Sequence, residues 1–148
     1  MKISRISVYQ VDLPIKPVTI SHGRVTSSFD ITLARIETDT GLEGWGDSVP
    51  WRSNFVAAFA RGVRAGLDEL APLLLGRDPR MVGAINELMD SEMTGQPYAK
   101  TALDVACWDI LGRSLNVPLY MLLGGMLTPK PEVVGSVPPV PGDDLESA

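Results

Sequence analysis

The chain has 148 residues, 45% of them hydrophobic and 21% charged, with 14 Gly, 12 Pro and one Cys, which amounts to one domain or a little more with a sizeable core. Non-periodic Gly and Pro, ordinary apolar content and a lone cysteine exclude collagen-like, disordered and disulfide-scaffold chains, and a complete (β/α)8 barrel would need about 250 residues. Thirteen Lys+Arg against 18 Asp+Glu leave a net charge of -5 without a basic run, so nucleic acid and anionic membrane are not expected partners.

The opening MKISRISVYQ lacks the roughly 7 to 15-residue apolar core of a signal peptide. Pro118, Gly124 and Gly125 interrupt the mostly apolar stretch from Val117 to Leu127, so it does not supply the ~20 residues of a membrane span. Cys107 has no partner for an internal disulfide and no nearby base. It is expected as a small core residue, and the protein as cytoplasmic.

Residues 2–13 read as a strand in which Ile3, Ile6, Val8, Tyr9 and Val11 interleave with polar residues, with Pro14 and Pro17 as its stop. A polar loop, 16–28, leads to a second strand from Phe29 to Glu37. Thr38-Asp39-Thr40-Gly41 is a turn by composition, and Leu42 to Gly46 returns as a third strand of an antiparallel meander.

After Pro50 the apolar period becomes helical: Phe55, Phe59, Val63, Leu67, Leu70 and Leu74 form one stripe, which Pro72 must kink or end. Asp78-Pro79 looks like a cap followed by proline at the first helical position, with Val82, Ile85 and Met89 as the next stripe and Gly95 as its close. A third helix is expected from Tyr98 to Arg113, and a short one opened by Pro118 and ended by Gly124-Gly125. At about 100° per residue, Asp104 lies about 40° from Lys100 while Asp109 and Arg113 lie about 180° and 220° from it. These are either solvated ion pairs four residues apart or, for Asp109 and Arg113, a pair inside an interface.

Five prolines follow Leu127, which marks a composition boundary there. The run from Glu132 to Val137 could be one buried strand, and Gly142 to Glu146 enters a helix with carboxylates in its first turn.

Little catalytic chemistry is visible. One His and one Cys cannot make a His/Cys metal site, no phosphate-binding glycine motif or G-x-S-x-G occurs, and the carboxylates are scattered. The two candidate regions are the loop 16–28, where His22 could titrate near neutrality, and the stretch 47–54, where Trp51 is a candidate for lining a pocket, while Phe55 just after it is expected to pack on the helices.

The segment ALDVACWDILGR at 102–113, with NVPLY at 116–120 and LLGG at 122–125, resembles a signature of the enolase superfamily, in its mandelate racemase and muconate lactonizing branch. The hairpin TDTGLEGWGD at 38–47 resembles that family's early motif, although Asp47 stands where the family usually has Glu. The resemblance implies an α+β fold, a three-stranded antiparallel meander followed by a helical bundle, like the enolase N-terminal domain. Residues 1–127 would be a capping domain. Residues 128–148 would be a linker, the first strand and the start of the first helix of a truncated (β/α)7β barrel.

The resemblance further implies proton abstraction α to a carboxylate, with Mg²⁺ stabilising the enediolate and barrel residues serving as acid, base and metal ligands. None of those residues can be assigned on this sequence, whose chain alone is expected to be inactive. The cap's loops would meet the substrate through His22, Trp51, Asn54 and Phe55. Aromatics there resemble relatives acting on proline-like and betaine substrates. Racemase, epimerase and dehydratase activities are implied, with muconate-type cycloisomerases and acid-sugar dehydratases as alternatives. Expected partners are a small carboxylate substrate, the missing barrel domain and other subunits of a homo-oligomer. A separate possibility is a standalone interaction module that adds the strand Glu132 to Val137 to a partner's sheet edge.

Overall fold

A computed structural model describes residues 1–20, 23–51 and 53–132. In chain order the elements are β1 (Ile3–Ile20), β2 (Arg24–Thr38), β3 (Glu43–Ser48), α1 (Ala60–Leu74), α2 (Val82–Glu92), α3 (Pro97–Leu115) and α4 (Leu119–Leu122). The strands form one antiparallel sheet in the order β1-β2-β3, and the helices cover one of its faces.

Alternation decides which face that is. On β2, Thr32, Ala34, Ile36 and Thr38 are buried while the residues between them are only partly so, the period-two pattern of a sheet covered on one side. Beneath it Val63, Leu67, Leu70 and Leu74 of α1, Val82, Ile85 and Met89 of α2, and Ala102, Leu103, Ala106, Cys107 and Ile110 of α3 close the core. Helix α3 lies directly on β3 because Gly44 and Gly46 have no side chain. A Cβ at Gly44 would strike the Ala106 carbonyl oxygen, and one at Gly46 would strike that of Ala102 and stand 2.8 Å from the Ala106 nitrogen. The Gly-Trp-Gly spacing therefore serves close packing.

The turn after β2 forms as expected. Gly41 has φ +81°, and the Thr38 hydroxyl donates to the Leu42 carbonyl at 2.7 Å. The end of the helical region also agrees: α4 follows Pro118, and Gly124 and Gly125 both take positive φ. Helix α3 stops on Asn116 in the left-handed conformation, with the Val117 N–H donating to the Gly112 carbonyl at 3.0 Å.

Several expectations are corrected. Pro14 and Pro17 do not stop the first strand, because β1 is an edge strand, where a missing N–H is tolerated, and a register shift between Pro14 and Val18 absorbs them. The described residues of the polar stretch 16–28 accordingly form the outer part of a long β1–β2 ribbon, and β2 starts at Arg24 instead of Phe29. Helix α1 begins at Ala60, which leaves Phe55 and Phe59 exposed ahead of it, and it runs two residues past Pro72. Asp78-Pro79 does not open α2. The Asp78 side chain accepts the Arg80 N–H at 3.0 Å and its carbonyl accepts that of Met81 at 3.1 Å, making a separate turn before Val82.

Asp104 does not pair with Lys100. It accepts the Asn86 side-chain amide at 2.6 Å, while Lys100 binds Asp90 at 2.7 Å on the neighbouring helix. Glu132 is exposed, and the rest of the expected strand to Val137, with the helix start after Gly142, lies outside the described residues.

Candidate functional site

Two segments far apart in sequence meet at one end of the sheet. β3 pairs with β2 only from Thr32 to Glu37, so from Ile31 outward β1 and β2 continue as a two-stranded arm. The chain leaves β3 at Ser48 and passes through the loop 49–59 before α1. In that loop Trp51 reaches back to Phe29 at the base of the arm, with ring centroids 6.3 Å apart, and packs on Phe55 at 5.1 Å. Both contacts are tilted, as aromatic quadrupoles prefer. Trp51 and Phe55 remain 43% and 61% exposed, so the trio presents an open aromatic surface.

Of the expected site residues, the structure thus brings Trp51 and Phe55 together. Asn54 is exposed between them, and His22 lies outside the described residues. Phe29 is the partner missed from sequence, because its place in the trio depends on where the loop folds back. The expected packing of Phe55 on the helices gives way to packing on Trp51.

On the opposite face of the arm, Arg64 of α1 donates to both oxygens of Asp30 at 2.8 and 3.1 Å and to the Thr32 hydroxyl at 3.2 Å. This bidentate pair raises the Arg64 pKa further, through the hydrogen bond to Asp30 first. Ser48, where β3 ends, has a buried hydroxyl with no hydrogen-bond partner among the described residues.

The rest of the molecule offers less chemistry. A groove of about 720 Å³ runs between β3 and the end of α3, lined by Trp45, Trp108, Asp109, Arg113, Asn116 and Leu119. Its two charged groups are spent on the fold: Asp109 accepts the Trp45 backbone N–H at 3.0 Å and the Arg113 guanidinium at 2.9 Å. On the uncovered face of the sheet, Arg35 pairs with Glu43 and lies 5.6 Å from the Trp45 ring centroid, and that ring stacks on Tyr9 at 5.9 Å. Cys107 is fully buried and its thiol is pushed up to about 12 by desolvation and by Asp104, the reverse of what a nucleophile needs. No group of three or more His, Cys, Asp or Glu that could hold a metal occurs among the described residues, so they offer no ligand set that fits Mg²⁺. No described helix is long and apolar enough to cross a membrane.

Residues 3–124 match the family model of the mandelate racemase / muconate lactonizing enzyme N-terminal domain. The chain belongs to this family. It is 49% identical, over 84% of its length and 35% of the relative's, to the cis-3-hydroxy-L-proline dehydratase of Roseibium aggregatum. It is 36% identical to the N-succinyl-L-Arg/Lys racemase of Bacillus cereus, over 84% of this chain and 34% of that protein. A solved enolase-superfamily member from Roseovarius nubinhibens ISM, complexed with magnesium, superposes with a TM-score of 0.78 at 44% identity, covering 84% of this chain and 34% of that one. The mandelate racemase / muconate lactonizing match thus runs through the sheet and all four helices, and the chain spans about a third of the length of the curated relatives it matches.

Proposed function

We propose that residues 1–127 are the capping domain of an enzyme that abstracts a proton α to a carboxylate, and that residues 128–148 lead into its barrel. In this reading His22 and the loop residues Trp51, Asn54 and Phe55 face the substrate. The observation that carries it is the aromatic trio in which exposed Trp51 and Phe55 pack on half-buried Phe29, assembled from the arm and the loop. An aromatic face attracts a cationic nitrogen by ~0.5–2 kcal/mol, the more so once water is excluded. This suits a proline-like or betaine-like carboxylate, and the identity to a cis-3-hydroxy-L-proline dehydratase supports the same substrate class. The reaction is then a racemisation, epimerisation or dehydration. Mg²⁺, acid and base belong to the barrel, and residues 1–148 alone do not turn over.

The test is a chimera in which residues 1–127 replace the corresponding cap of the Roseibium aggregatum dehydratase. It is expected to consume cis-3-hydroxy-L-proline in a Mg²⁺-dependent way, with Trp51→Ala raising KM about tenfold, the loss of one contact of ~1.4 kcal/mol. Mg²⁺-dependent α-proton exchange by the 148-residue chain alone would overturn the reading. So would a folded, active chimera whose KM is unmoved by both Trp51→Ala and Phe55→Ala.

A further inference from the structure

We infer that Arg64 is a charge clamp that positions the β1–β2 arm by holding together two carboxylates, Asp12 and Asp30, that face each other across the strands. Asp12 and Asp30 are direct partners in the antiparallel register, so their side chains emerge on the same face, the one that β2 turns toward the helices through Thr32, Ala34 and Ile36. Like charges directly opposite on a strand pair destabilise it. Here they sit two residues beyond Thr32, the last β2 residue that β3 supports. The outer ribbon is two-stranded from that point, and a two-stranded ribbon alone is marginal in water.

Arg64 supplies the missing positive charge from a rigid base. Its neighbours on α1, Val63 and Leu67, are core residues, and its own side chain is only 18% exposed. The guanidinium takes both oxygens of Asp30 at 2.8 and 3.1 Å and reaches Thr32 at 3.2 Å, and Asp12 also acts on it electrostatically. Asp30 and Phe29 are adjacent and so point to opposite faces. The base of the arm is therefore gripped from both sides, by Arg64 on Asp30 and by Trp51 on Phe29. A helix side chain thereby sets the angle at which the ribbon leaves the body. Arg64 is a positioning residue, and the inference holds whatever the arm's tip meets.

Amide hydrogen exchange on the 148-residue chain tests it. Arg64→Gln is expected to speed exchange in segments within 10–32 roughly tenfold, as losing a charge-assisted pair does, while segments of α3 keep their protection. Adding Asp12→Asn to Arg64→Gln is expected to restore most of the protection, since it removes the repulsion. Lost packing of the arginine stem would not be rescued this way. Unchanged arm exchange in Arg64→Gln, or a double variant as fast as the single, overturns the inference. Should Arg64→Gln fail to fold, Arg64→Lys keeps the charge without the two-pronged grip and is expected to speed arm exchange roughly threefold; an unmoved arm then counts against the clamp.

Discussion

The carboxylate of Asp109 accepts the backbone N–H of Trp45 at 3.0 Å, tying the middle of α3 to the outer strand of the sheet across 64 residues of sequence. Its other oxygen holds Arg113 at 2.9 Å. The i,i+4 pair is thus more than a solvated pair on one helix. Its acid serves the contact between α3 and β3, where it caps an N–H on the strand's outer side and leaves less for another chain to pair with.

That division of labour gives unequal mutational costs. Asp109→Ala strands the Trp45 N–H and is expected to lower stability by about 1–2 kcal/mol, whereas Arg113→Ala removes a half-exposed partner and should cost about 0.5 kcal/mol or less. Urea unfolding of both variants checks the order; equal losses would contradict it.

Glycines separate in the same way. Gly46→Ala places a methyl group against the α3 backbone and is expected to cost about 3 kcal/mol, because neither backbone can yield as a side chain would. A methyl group at Gly83, in the first turn of α2, would meet nothing within 4 Å, so Gly83→Ala should stabilise by about 0.5–1 kcal/mol through helix propensity. Opposite shifts in Tm are the expected readout.

Asp78 makes stability depend on acid. The Arg80 side chain, then burial against it and the Arg80 backbone N–H, set its carboxyl at about 2, below the ordinary 3.8. A carboxyl depressed in the folded state contributes stability that is complete above the ordinary value and disappears as pH falls through the folded one. The stability difference between wild type and Asp78→Asn should therefore be constant above pH 4 and shrink between about 4 and 2. Urea midpoints across that range measure it, and a difference independent of pH would refute the pairing.

Cys107 should be inert in the native chain. With the thiol fully buried and at about 12, labelling by a disulfide reagent at pH 8 is expected only at the rate of unfolding, rising steeply with urea. Rapid labelling without denaturant would show α3 loosely packed on the sheet.

Much of the architecture was legible because it is periodic. The alternation of β2, the turn at 38–41, the stripes Val63-Leu67-Leu70-Leu74 and Val82-Ile85-Met89 and the stop at Gly124-Gly125 all stand where burial and backbone freedom require them. Element starts were less legible. Phe55 and Phe59 keep helical spacing with Val63 yet lie outside α1, since spacing cannot tell a ring on a helix from a ring in the loop before it. The prolines in β1 read as stops because sequence does not say which strand is at an edge.

By itself the sequence determined the family, through motifs that resemble it, and, through local spacing, the order of a meander followed by helices and most of the helical core residues. Tertiary structure alone decided the length of the arm, the gathering of Phe29 with Trp51 and Phe55, the grip of Arg64 on Asp30 and the second duty of Asp109. Those depend on register and on chain segments meeting across 20 to 60 or so residues, where the local pattern carries no information about the partner.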